Sequence, residues 1–183
     1  MLPLILIAIL SVSLIEGLDP YKGLLFSYYF YVFNKVWESY LVPIVSGLLY
    51  YSLGFFLTIL LVNFDYTQSL RLIISYLLIT HSLFKLFLGR IMHYTGNMRP
   101  SIPNVVKWSF LNSIIQMNAT LLIGLWMLSK LSFVIVINTV IIVREIALYF
   151  SIKNSNLLLT LTRYNLDYIC VVLVLLVAIL VLL

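Results

Sequence analysis

Two adjacent charged residues, Arg144 and Glu145, lie inside a long apolar segment of the sequence. A charge at the centre of a bilayer costs roughly 2.5 kcal/mol or more, so it needs a partner or a path to water. Neighbours on a helix point about 100° apart, so the two cannot form a good salt bridge with each other. Two interpretations are open. Arg144 extends to the near end of the segment, or Glu145 marks a buried site on the helix face that also carries Asn138.

A second polar pair, His81 and Lys85, is one helical turn apart in another apolar segment. Lys85 is close to the end of its segment, where its ammonium group can reach the interface. His81 is deeper. It either pairs with Glu145 across a helix interface or hydrogen-bonds a serine or a backbone carbonyl. A proton relay or substrate site would require His81, Lys85 and Glu145 to line one cavity.

Small and polar residues recur at spacings of three and four along a further apolar segment. They are Ser109, Ser113, Gln116, Thr120 and Gly124. Such a stripe lets helices approach closely and hydrogen-bond in lipid, at about 0.6 to 2 kcal/mol per contact. We interpret the stripe as a surface for helix packing and not as a path for a solute. Ser46 and Gly47 predict a similar contact in another segment.

The longest polar connection, residues 89–107, concentrates basic side chains beside glycine, asparagine and proline. They are Arg90, His93, Arg99 and Lys107. Cationic side chains at the headgroup level attract anionic lipid at about 1 kcal/mol each. We interpret the loop as a topology signal, with a headgroup site or a docking surface for a partner as the alternative.

Sequence signatures of enzymes are missing. The chain has no HExxH, Gly-x-Ser-x-Gly or Walker motif. Its single cysteine, Cys170, cannot form an internal disulfide, and it is interpreted as a small apolar filler. Its two histidines are too close in sequence to ligate a haem between facing helices. We therefore predict no catalytic residues, no metal and no cofactor.

Composition and the lengths of the apolar runs predict the helices that position these polar residues. Of 183 residues, 63% are hydrophobic and 9% are charged, whereas soluble domains contain about 25% charged residues. Apolar runs close to the roughly 20 residues of a membrane-crossing helix recur along the chain. They cover residues 2–15, 41–63, 70–88, 108–128, 131–150 and 165–183. The prediction is an all-α, polytopic transmembrane helix bundle of about six spans, with five or seven as alternatives, forming one domain over residues 1–183.

Two features of the N-terminal region affect the number of spans. Residues 23–40 contain eight aromatic residues, which predicts an aromatic interfacial helix, with a short additional span as the alternative. Residues 2–15 lack the preceding basic residues of a signal peptide, so we favour a retained first helix over a cleaved one.

The connections differ in charge on the two sides of this bundle. One side carries seven basic residues: Lys22, Lys35, Arg90, Arg99, Lys107, Lys153 and Arg163. The other carries Arg71 and Lys130. Basic residues stay on the side from which insertion occurs, so both termini are predicted on the opposite, luminal side. The endoplasmic reticulum is the favoured compartment, with the mitochondrial inner membrane as the alternative.

These features favour a non-catalytic, multi-pass protein. We expect an accessory subunit or an assembly helper of a larger membrane complex, with lipids and other membrane subunits as partners. Nothing resembles a nucleic-acid-binding surface. A small transporter or channel is the first alternative. A lipid-modifying or headgroup-binding protein is the second.

Overall fold

The computed structural model describes residues 2–62, 67–88, 99–115, 132–164 and 166–182. These ranges contain eight α-helices, one 3-10 turn over Pro20–Lys22 and no strand, which confirms the all-α prediction. The helices are α1 (Leu2–Leu18), α2 (Leu24–Val32), α3 (Val36–Val62), α4 (Thr67–Leu88), α5 (Ile102–Ile115), α6 (Ser132–Lys153), α7 (Ser155–Arg163) and α8 (Leu166–Leu182).

Each predicted apolar span coincides with a helix, although the second half of the 108–128 span lies outside the described residues. One stretch of the described chain, Val134–Lys153 in α6, is long and apolar enough to cross a membrane. A second candidate is the pair Ser155–Arg163 and Tyr168–Ile179, bent by 58°. The structure therefore does not confirm six spans.

The aromatic region 23–40 is divided between two helices, which differs from the single interfacial helix or short span that the sequence suggested. Helix α2 ends at Val32, and α3 begins at Val36. Asn34 lies between them with a φ of 59°, a left-handed conformation in which asparagine is enriched. With nine residues, α2 is about 14 Å long, well short of a hydrocarbon core.

Helix α7 was not predicted, because its residues read as a polar connection. Asn154 caps its N-terminus, its side chain accepting a hydrogen bond from the Asn156 N–H at 3.1 Å. Apolar residues at helical spacing direct Leu158 into a core formed with Leu24 and Leu148. The helix packs against α6 and the 3-10 turn, so it covers the segment that joins α1 to α2.

The main helix contacts follow the order α4–α8–α1–α6–α3–α5, and α2 packs against both α3 and α6. Two glycines let backbones meet closely. A Cβ on Gly17 of α1 would lie 2.7 Å from Val143 Cβ in α6, and a Cβ on Gly47 of α3 would lie 2.6 Å from Ile141 Cγ1. The predicted close contact at Gly47 is confirmed.

Candidate functional site

Four charged side chains are buried together where α1, the 3-10 turn and α6 meet. Glu16, Asp19, Lys22 and Arg144 are each 0–2% exposed. We call them, with their neutral neighbours Ser46, Tyr51 and Cys170, the charge cluster. Its two carboxylates and two cations balance in formal charge. Balance matters because an isolated buried charge costs several kcal/mol, which only close partners can offset.

The local sequence brings Lys22 back onto Glu16. Asp19 caps the 3-10 turn, its Oδ1 accepting a hydrogen bond from the Tyr21 N–H at 3.0 Å. Pro20 cannot continue α1, because it lacks an N–H donor and its φ is fixed. Gly23 then leaves the turn with a φ of 135°, a conformation that L side chains rarely adopt. A Cβ at Gly23 would also lie 2.9 Å from Ser46 Oγ.

Glu16 is the centre of the charge cluster. Its Oε1 accepts hydrogen bonds from Lys22 Nζ at 2.5 Å and from Cys170 Sγ at 2.9 Å. Its Oε2 accepts one from Tyr51 Oη at 3.1 Å. Lys22 Nζ also lies 3.7 Å from Asp19 Oδ2. One carboxylate thereby connects α1 to the 3-10 turn, to α3 and to α8.

Arg144 connects α6 to the charge cluster. Its Nη1 donates to Ser46 Oγ at 3.3 Å, and its Nη2 donates to the Glu16 backbone carbonyl at 3.5 Å. In a regular helix that carbonyl would accept from the N–H four residues on, but the residue there is Pro20, which has none. The guanidinium supplies a donor in its place. Arg144 is therefore bonded inside the bundle, next to the end of α1, and the interpretation that it extends to the near end of its segment stays a prediction.

Of the predicted polar candidates whose side chains are described, Arg144 is the one that belongs to the charge cluster. Glu145 is half-buried on a different face of α6, and Asn138 is exposed. His81 is half-buried on α4, whose main contact is with α8. The side chain of Lys85 and all of Gln116 lie outside the described residues. The relay through His81, Lys85 and Glu145 stays a prediction.

The basic loop candidates are only partly described. Arg90 and His93 lie outside the described residues. Arg99 and Lys107 are both exposed, near the start of α5. Arg99 also contributes its backbone carbonyl as the acceptor for Asn104 Nδ2 at 2.8 Å. A headgroup or partner site there stays a prediction.

Sequence reasoning missed Tyr51 and three of the four charged members of the charge cluster. Glu16 and Asp19 carry no prediction, and Lys22 is counted as a topology signal, whereas its ammonium group is buried against Glu16. The sequence signal that could have revealed them is the pair of opposite charges, Glu16 and Lys22, on either side of Asp19-Pro20. Cys170 is also more than an apolar filler, because its thiol donates to Glu16.

This arrangement joins several elements through hydrogen bonds and is closed to solvent. The carboxylate of Glu16 has three side-chain donors from separate elements, and the charged residues are shielded from solvent. Among the described residues, no group of three or more His, Cys, Asp or Glu could hold a metal ion. No family model, curated protein or solved structure matches this chain.

Proposed function

We propose that this chain is a non-catalytic, multi-pass membrane protein that serves as an accessory subunit or assembly helper of a larger membrane complex. The observation that carries this proposal is the closed charge cluster. Its charged residues are nearly inaccessible, and their hydrogen bonds go to one another and to neighbouring groups of the protein. A substrate has no route to them in this conformation, which favours a structural role.

The exterior supports the same conclusion. Large apolar side chains are exposed on several helices, including Ile73 and Phe87 on α4, Trp37 on α3 and Leu176 on α8. We interpret this exposed apolar surface as one that contacts lipid or protein. A closed interior with an apolar exterior suits a protein that acts through other membrane helices.

In this proposal the apolar helices form a bundle of about six spans. Four basic residues of the predicted cytosolic side are exposed in the structure: Arg99, Lys107, Lys153 and Arg163. They support an orientation in which this side is cytosolic and both termini face the lumen. The endoplasmic reticulum remains the favoured compartment.

A small transporter is the second candidate, and the same cluster favours it. Buried ionisable groups in a membrane protein often mark proton or ion pathways. Lys22, Glu16, Tyr51 and Cys170 are titratable groups in direct hydrogen-bond contact. Transport would require the cluster to open to water, with α7 as the element covering the turn.

The test is extraction of the full chain in native lipid with a membrane-solubilising polymer, followed by native mass measurement. The proposal expects the 21.1 kDa chain in a stoichiometric complex with another membrane protein. A lone chain that moves a solute in liposomes would contradict it. Tyr51→Phe separates the candidates further, since loss of flux with assembly intact would establish transport.

A further inference from the structure

One face of α6 carries polar groups toward the outside of the bundle. Asn138 is exposed, and Glu145, seven residues later on the same face, is half-buried. Between and beside them lie Ile142, Ile146 and Tyr149, which are 57%, 51% and 45% exposed. We call these five residues the α6 stripe. Helix α6 contains the described segment that is long and apolar enough to cross a membrane.

The depth of both polar groups follows from helix geometry. Glu145 is eight residues before Lys153, the last residue of α6, or about 12 Å along the axis. Asn138 is six residues after Ser132, the first residue of α6, or about 9 Å. In a membrane-crossing α6, both lie within the hydrocarbon, where an ionisable or amide group facing lipid is costly.

The polar groups of the stripe retain capacity for further hydrogen bonds. Asn138 Nδ2 donates to the Val134 carbonyl at 2.9 Å, which uses one of the two N–H groups of the amide. The Glu145 carboxylate makes no hydrogen bond or ion pair within the described residues. Each group therefore requires a donor or acceptor from outside this face.

We propose that the α6 stripe binds a transmembrane helix of another chain that places an arginine or lysine opposite Glu145. The inference rests on the proposed function, because it requires α6 to be in the bilayer. Charge complementarity selects the occupant. A cation opposite Glu145 satisfies its carboxylate, and the isoleucines and Tyr149 supply an apolar contact around the pair.

Other occupants fit less well. A second copy of this chain in a parallel two-fold pair would set one Glu145 against another, which is repulsive. Within this chain, residues 116–131 contain one charged residue, Lys130, which is fifteen residues before Glu145 in the sequence. Helix α4, with His81, is separated from α6 by α8 and α1 in the order of main contacts.

The experiment uses the full chain in liposomes, labelled with a donor fluorophore at its C-terminus, and synthetic acceptor-labelled helices of leucine and alanine. One helix carries a single arginine eight residues from one end, and the matched helix carries leucine there. Energy transfer should give an association constant at least tenfold higher for the arginine helix. Glu145→Gln should remove that preference. Leu72→Gln, at an exposed position of α4, should retain it.

Three results would overturn the inference. The two helices could associate equally, the preference could survive in Glu145→Gln, or donor-labelled and acceptor-labelled copies of the chain could associate with each other more tightly than the chain does with the arginine helix. Native mass measurement separates this failure from failure of the proposed function. A stoichiometric complex that persists unchanged in Glu145→Gln refutes the stripe and leaves the accessory role intact, whereas a lone transporting chain refutes the accessory role.

Discussion

Replacing Lys22 by methionine tests the charge cluster most directly. The substitution keeps a similar stem but removes the ammonium group that contacts Glu16 Oε1 and lies 3.7 Å from Asp19 Oδ2. Two buried carboxylates then remain in the charge cluster with Arg144 as its single cation. Removing one partner of a buried pair costs about 3–5 kcal/mol, so Lys22→Met should lower the free energy of unfolding by that amount.

A double-mutant cycle with Glu16→Gln gives the coupling energy. A glutamine at position 16 keeps an oxygen that can accept from Tyr51 or Cys170, and it is neutral, so it no longer requires a cation. The double variant should be more stable than the sum of the single effects by at least about 1 kcal/mol, within the range for contacting residues.

The assay is reversible unfolding of the purified chain in mixed micelles, followed by far-ultraviolet circular dichroism. Lys107→Met is the control, because Lys107 is exposed. A surface change of this kind is usually within about 0.5 kcal/mol. If the two cluster substitutions add to within about 0.5 kcal/mol, as independent sites do, the pairing of Lys22 with Glu16 is refuted.

Two further predictions concern the turn and its cover. Gly23→Ala should lower the free energy of unfolding by about 1–3 kcal/mol, because a positive φ strains an L residue and the new Cβ would press on Ser46 Oγ; a wild-type midpoint in the same assay would contradict this. Leu158→Ser should open α7, which covers the turn, and accelerate maleimide labelling of the buried Cys170. Leu159→Ser is the matched control because Leu159 is 58% exposed, and equal labelling rates in the two variants would exclude α7 as the cover.

Apolar runs predicted the positions of the helices well, because a long apolar run has few alternatives to a helix that satisfies its own backbone. The run at 131–150 corresponds closely to α6, and the run at 165–183 to α8. Boundaries were harder to predict in polar or aromatic regions. The break at Asn34 and the amphipathic helix α7 depend on local backbone conformation and packing, which composition does not report.

The candidate site was predictable in one part only. Arg144 stood out because a charge inside an apolar run needs an explanation. Its partners did not, because Glu16 and Lys22 flank a turn that reads as an ordinary polar connection. Tyr51 and Cys170 carry no signal at all in the sequence, since their spacing from Glu16 along the chain is large and unrelated to any helical period.

By itself, the sequence determined that this chain is helical and apolar and that Arg144 needs a compensating partner. The reason is that length, hydrophobicity and charge are local properties of the chain. The tertiary structure alone decided that Arg144 donates to Ser46 and to the Glu16 carbonyl and that Lys22 is buried against Glu16. These pairings depend on how α1, α3, α6 and α8 pack, which places residues up to 154 positions apart in direct contact.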